Sequence, residues 1–343
     1  MPSLGNLLLI LLLSLAPQSP ESYPPLGVID FYGLHTVSEA QVRQVLGFHE
    51  GDAIDLAQLE KEKREAERRI TTIPGVKAVF LEFVCCTNDQ KSMLYVGIEE
   101  TNSACSVFQP APQGNVRLTS DVIRAGSDFE AAIGEAVEKG DAAEDDSQGH
   151  ALNHNPEVRS VQVRFIILAE AHLANLEDVL RDSYDADQRA LAAQVLGYVK
   201  DKQSVVPNLL AAMHDPSSGV RNNASRALLV FARFSPTLAA GRIQVSPQPF
   251  IEMLNSCIWT DRNKSSFALA ELTQQRDAAL LAEIRKEALP SLMEMARWKL
   301  MGYARPSLMI LGRIGGLSDE QIEKDLEAGN REAIIAAGRK ATQ

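Results

Sequence analysis

Asp215-Pro216-Ser217-Ser218-Gly219-Val220-Arg221-Asn222-Asn223-Ala224-Ser225-Arg226-Ala227-Leu228 is the stretch on which the fold of this 343-residue chain turns. Its Pro, Ser and Gly break one helix, and the apolar residues after them open another. Thirty-two residues earlier, Arg189 to Gly197 (RALAAQVLG) has the same spacing: Arg, then Ala three residues on, then Leu seven residues on. Arg189/Ala192/Leu196 and Arg221/Ala224/Leu228 are two copies of one element. A shorter apolar helix precedes each copy, at residues 176–180 and 206–213. Weaker copies follow, residues 250–258 with Ala268 and Leu272, then residues 289–296 with Ser307 and Leu311. Residues 322–337 read as a polar terminal cap. One helix pair cannot bury its own apolar face, so pairs recurring at a period of roughly 30–45 residues predict an α-α solenoid over residues 158–343.

The 215–228 stretch resembles HEAT repeats. In that family the Asp closes the turn between paired helices, the Val packs inward, and the Arg opens the second helix and contacts a neighbouring turn. Asp215, Val220 and Arg221 match those positions, while in the third unit Asp261 and Lys264 only approximate them. The resemblance covers residues 158–340 and implies an armadillo-like helical superhelix.

Upstream, residues 26–100 read as a small α/β unit. Val28-Ile29-Asp30-Phe31-Tyr32 is a strand ended by Gly33. Ser38 and Gln41 form a capping box for a helix that stops at Gly47, and a second helix runs from about Asp55 to Ile70. Ile73-Pro74-Gly75 breaks it, and two alternating strands follow, around a polar turn at residues 87–92. This β-α-α-β-β order resembles a POTRA domain, with Gly75-Val76-Lys77-Ala78-Val79 entering the hairpin and Val96-Gly97-Ile98-Glu99-Glu100 closing it. The resemblance implies an exported module that docks other polypeptides, often by lending a strand edge. The fold class expected is therefore multidomain: α+β, then all-α.

Residues 7–16 are apolar except for Ser14, a run too short to span roughly 30 Å of hydrocarbon as a helix. Small residues at Ser14 and Ala16 and a Pro-rich exit over residues 17–25 predict a signal peptide at residues 1–20, although no Lys or Arg precedes the run. The expected location is the periplasm or cell envelope. No later stretch reaches 18 apolar residues, so contact with a membrane is expected only through an envelope partner.

The chain carries 34 Lys+Arg against 45 Asp+Glu, a net charge of −11. Much of that excess belongs to residues 106–157, with ten acidic and three basic residues, whereas residues 158–343 have 23 basic and 21 acidic. An acidic total argues against a nucleic-acid binder, which needs a basic face to displace counterions. Residues 101–157 read as an acidic connector holding one helix, opened by a capping box at Ser127-Asp128-Phe129-Glu130 and closed by Gly140, with a loop through residue 155.

Little in the sequence carries catalytic chemistry. There is no nucleophile elbow, phosphate-cradling loop or H-E-x-x-H motif. His150 and His154, four apart beside Glu144, Asp145 and Asp146, have metal-ligand spacing but lack a third ordered ligand, so neither metal nor cofactor is expected. Of the four cysteines, Cys85 or Cys86 is expected to bridge to Cys105, and Cys257 reads as a small buried apolar residue. The candidate ligand edge is the run of helix N-termini holding Arg221, Asn222 and Asn223, then Trp259, Asp261, Arg262, Asn263 and Lys264, where free N–H groups, Arg and Trp offer anchors.

The function expected is a non-enzymatic protein–protein interaction scaffold of the bacterial envelope, with proteins or peptides as partners and no small-molecule cofactor. An outer-membrane assembly accessory factor is the alternative. A lyase-like enzyme built on the repeats stands third, and it requires Asp145, Asp146 and His150 to converge in a pocket.

Overall fold

All nine residues of one strand, Ser92–Glu100, are buried. Successive side chains on a strand point to opposite faces, so burial of all nine means that both faces of its sheet are covered. The computed structural model describes residues 23–340 except 88, 104, 106, 107, 142 and 236–242. The expected signal peptide lies outside the described residues.

The buried strand is β3, and it follows β1 (Leu26–Tyr32), α1 (Glu39–Leu46), α2 (Leu56–Ile70) and β2 (Val76–Val84). The sheet order is β1-β3-β2, with β1 parallel and β2 antiparallel to β3. Ser38 and Gln41 make the reciprocal capping box that starts α1, and Gly47 ends it in the left-handed region. One sheet face, through Leu94, Val96 and Ile98, packs on Val42, Leu46, Ala66 and Ile70 of these two helices. The other face, through Tyr32, Met93 and Tyr95, belongs to the core of the helical region. Sheet and repeats are therefore one packed body.

Glu100 ends β3 and ties it to the loop before α1. Its carboxylate accepts from the backbone N–H groups of His35, Thr36 and Val37 and from the Thr36 hydroxyl. Those donors hold its pKa at about 2, below the ordinary value of 4.5. A depressed carboxylate stabilises the fold above its unfolded pKa and loses that contribution as pH falls from about 4.5 to about 2. Glu100→Gln should cost about 2 kcal/mol at pH 7. Urea unfolding of the two proteins should then converge near pH 2; a constant difference across that range would contradict the assignment.

The repeats form two rows. The first is α5 (Leu173–Asp182), α7 (Lys202–Ala212), α9 (Gln248–Met253) and α11 (Ala278–Met295). The second is α6 (Ala186–Leu196), α8 (Ser218–Phe234), α10 (Trp259–Leu272) and α12 (Met301–Ile314), in which each helix packs on the next. The pair α13 (Asp319–Glu327) and α14 (Arg331–Lys340) closes the C-terminal end against α12. Packing of α3 (Ser120–Glu138) on α4 (Pro156–Ala171) closes the other end.

Two expectations for the connector change. Its helix starts at Ser120, after Thr119 as N-cap, and not at Ser127, because Val122, Ala125, Phe129 and Ala136 form one apolar stripe buried against the repeats. Ser127 lies inside that helix, its hydroxyl donating to the Ile123 carbonyl at 3.3 Å. The acidic loop also has structure, since β4 (Glu144–Asp145) pairs antiparallel with β5 (Leu152–Asn153).

The disulfide expectation is corrected as well. Cys85 is joined to Cys86, and Cys105 to Cys257, with Cα atoms 5.4 Å apart in the second bridge. The antiparallel hairpin puts Cys85 and Cys86 at its turn end and Cys105 beyond its open end. Nine residues of β3 at about 3.3 Å each separate them. Cys257 is therefore a bridge partner, not an isolated apolar residue.

Candidate functional site

Arg189, Arg221 and Arg262 occupy the same place, the fourth residue of α6, α8 and α10. Each sends its guanidinium back to the carbonyl six residues upstream: Arg189 to Ser183 at 2.8 Å, Arg221 to Asp215 at 2.7 Å, Arg262 to Ser256 at 2.5 Å. Each also reaches a carboxylate of the next repeat. Arg189 makes a two-pronged pair with Asp215 at 2.7 and 2.9 Å, Arg221 does so with Asp261 at 2.9 Å for both bonds, and Arg262 meets Glu294 at 2.6 Å. At α12 the equivalent residue is Ala304, and the matching carbonyl, Trp298, accepts instead from Arg331 of α14. A ladder of charge pairs thus staples each repeat to its successor and ends where the cap begins.

The third repeat is thereby put in register by Arg262, not by Lys264 as its sequence suggested. Its carboxylate, Asp261, comes from inside the first turn of α10 instead of from the preceding turn, and Ser256 donates to it at 2.7 Å. The Arg221 and Asp261 side chains are each 1% exposed. Burial pushes the Asp261 carboxyl above its ordinary value, against the opposing pull of Arg221.

The edge on which a ligand was expected is covered by the chain itself. Trp259 stacks on Tyr95 of β3 at 4.8 Å, and Trp298 and Tyr303 complete the cluster around that ring. The Arg262 guanidinium lies 4.7 Å over the Tyr32 ring, and the Tyr32 hydroxyl donates to the Cys257 carbonyl at 3.0 Å. Gly97 makes this contact geometrically feasible, because a Cβ there would stand 2.4 Å from that carbonyl. Lys299 reaches across to β1, its backbone N–H donating to Asp30 at 2.9 Å and its ammonium to the Ile29 carbonyl at 2.6 Å.

From Cys105 the connector runs back along the same edge toward the first repeat. Phe108 lies 3.7 Å under the Arg221 guanidinium, the Gln109 N–H donates to His214, and Gly114 bridges to Ser183. Asn222 and Asn223 are half-buried, and the Asn223 amide donates to the Ala190 carbonyl at 2.9 Å. Arg221, Trp259, Asp261, Arg262 and Asn263 are buried. Of the four charged residues expected on a ligand edge, Arg221, Asp261, Arg262 and Lys264, Lys264 is the one left without an ion pair among the described residues.

Sequence reading missed the cationic row on α8 and α10. Arg226 pairs with Glu144, and Arg233 pairs with Asp146 at 3.1 Å and with Glu271 at 3.2 Å. Lys264 stands between them, and burial together with Arg226 and Arg233 lowers its pKa to about 8. Part of the signal was present in the sequence, as Arg226 and Arg233 at helical spacing and an acidic stretch upstream, but their apposition with Lys264 and with that stretch depends on how the helices pack and how the loop returns.

Asp145, Asp146 and His150 do not converge. Asp146 faces Arg233, Asp145 accepts from the Ser147 N–H, and His150 is stacked on Tyr198 with its pKa lowered to about 4 by burial. No group of three metal-ligating side chains exists among the described residues. Clefts of about 720 and 930 Å³ flank the sheet where it meets the repeats, the first lined by Lys77, Phe80, Glu99 and Phe108, the second by Asp30, His35, Glu287 and Arg297.

The sequence profile of HEAT repeats matches residues 173–241. No curated protein matches the chain. Among solved structures, a computationally designed armadillo repeat protein for modular peptide recognition is similar at 15% identity and a TM-score of 0.37, covering 55% of this chain and 94% of that one. A second designed armadillo repeat protein is similar at 17% identity and a TM-score of 0.36, covering 55% and 92%. A third, solved in complex with a (KR)4 peptide, is similar at 16% identity with the same TM-score, covering 55% and 96%. The region from α5 through α8 is thus a HEAT-repeat match within a helical-repeat solenoid.

Proposed function

We propose that the chain is an exported, non-enzymatic scaffold of the bacterial cell envelope that docks other polypeptides. The observation carrying this reading is the division of its surfaces. The helix-terminus edge is closed by the chain's own connector and sheet, whereas β2 is an edge strand of that sheet and the second-row helix α8 carries the exposed Arg233. The β-α-α-β-β order, with β1 parallel to β3, supports the POTRA resemblance of residues 26–100. Pairing of all four cysteines in two disulfides favours an oxidising compartment, and with it export.

Photo-cross-linking in intact envelopes tests the reading. A benzophenone amino acid at Lys77 on β2, or at the exposed Gln275 just past α10, should capture a partner protein; one at Arg181, on an exposed face of α5, should not. A barrel protein captured at Lys77 alone would make the role envelope assembly. Absence of a specific adduct at both test positions overturns the scaffold.

A further inference from the structure

We propose that the second-row face of α8 and α10 docks an extended acidic peptide of a partner protein, and that residues 144–146 of this chain occupy it as an internal competitor. The inference rests on the scaffold reading and names the chemistry that one of its surfaces recognises. Three cations line the face. Arg226 and Arg233 lie seven residues apart on α8, two turns on one side of the helix, with Lys264 on the neighbouring α10.

The segment lying against this row shows what it accepts. Alternate residues of an extended chain project the same way, and Glu144 and Asp146 reach Arg226 and Arg233 while Asp145 between them accepts locally from Ser147. The recognised feature is thus carboxylates at every second residue of extended backbone, which a peptide supplies. Three carboxylates, Glu144, Asp146 and Glu271, balance the three cations, but they pair with the two arginines, and Lys264 feels Glu144 only beyond ion-pair distance among the described residues.

The same segment is weakly fixed. Its strand is two residues long, Glu144 is exposed, and it meets the helices through charged side chains. Partly exposed ion pairs of this kind are each worth on the order of 1 kcal/mol or less. Upstream, Gly140, at φ +69°, ends α3 in the left-handed region. Downstream the chain is pinned, for a Cβ on Gly149 would stand 2.6 Å from both Lys202 and Phe234. A longer acidic peptide that also engages Lys264 would displace the upstream half.

Fluorescence anisotropy on the full disulfide-bonded chain tests this with a fluorescein-labelled (Glu-Ser)5 peptide. Neutralising the competitor, Glu144→Gln with Asp146→Asn, should tighten binding about tenfold by raising the fraction of open surface. Asp146→Asn alone, which leaves Arg233 its Glu271 partner, should tighten it about threefold. Adding Lys264→Gln to the double variant should return affinity to or below that of the parent. Circular dichroism melts identify any variant that fails to fold, and the single substitution then carries the test. No gain on neutralisation, equal binding of (Lys-Ser)5, or tighter binding of a ten-residue oligothymidylate would each overturn the proposal. A cross-linked partner that survives Lys264→Gln would leave the scaffold standing and remove this surface. Peptide binding without any cross-linked partner would do the reverse.

Discussion

Asp261→Ala is expected to destabilise the protein by about 3–5 kcal/mol, lowering the melting temperature by roughly 10 °C. The cost comes less from the lost attraction than from what remains. Arg221, 1% exposed, would keep its charge with no carboxylate to meet two of its N–H groups. The consequence should spread along the edge, because the same guanidinium holds Phe108 and the carbonyls of Asp215 and Pro216. Hydrogen exchange at Gln109 and Tyr184, whose N–H groups pair the connector with the repeats, should accelerate in the variant. The double variant Arg221→Met with Asp261→Leu separates the pair's net worth from the cost of breaking it. Removing both charges together should cost less than half as much as removing the Asp alone. A double variant as unstable as the single one would mean that the ladder contributes by attraction, not by mutual neutralisation.

The repeats were legible because their period is local. Arg189/Ala192/Leu196 and Arg221/Ala224/Leu228 report one geometry twice, and the Arg-to-carboxylate ladder is its physical cause. The third repeat blurred because Asp261 entered from the helix and not from the turn, which leaves the contact intact but erases the spacing. The small sheet was legible in order and capping, since alternation and the Ser38–Gln41 box are nearest-neighbour signals. Which surface covers its second face was not, because the aromatic contacts of Tyr95 with Trp259 and Trp298 join residues more than 160 positions apart.

The candidate site failed on the same ground. Arg, Trp and Asn at helix N-termini look alike whether the neighbour is a ligand or the chain's own connector. The acidic residues treated as a solvated linker are in fact counterions. Glu144 and Asp146 neutralise α8, and the connector joins the two ends of the molecule by running along it in reverse. Charge balance was therefore informative about internal pairing before it was informative about partners.

Cys257→Ser is expected to be the most damaging single change, at about 5 kcal/mol in the chain-entropy limit, because the Cys105–Cys257 bridge closes a loop of 152 residues. Its position matters as much as its loop length. Cys105 follows β3 and Cys257 precedes α10, so the bridge fixes the sheet at the point where Tyr32 donates to the Cys257 carbonyl and Tyr95 meets Trp259. Losing it should release the sheet from the repeats before the repeats themselves unfold. The near-ultraviolet circular dichroism of the Trp259–Trp298–Tyr95 cluster should then fade at lower guanidinium than the helical signal, giving two transitions where the parent shows one. Cys85→Ser with Cys86→Ser supplies the contrast. Adjacent residues close no chain loop, so that variant should lose under roughly 1 kcal/mol and keep a single transition. Equal losses from the two variants would show that the long bridge does not hold the sheet in place, and that the aromatic cluster docks it unaided.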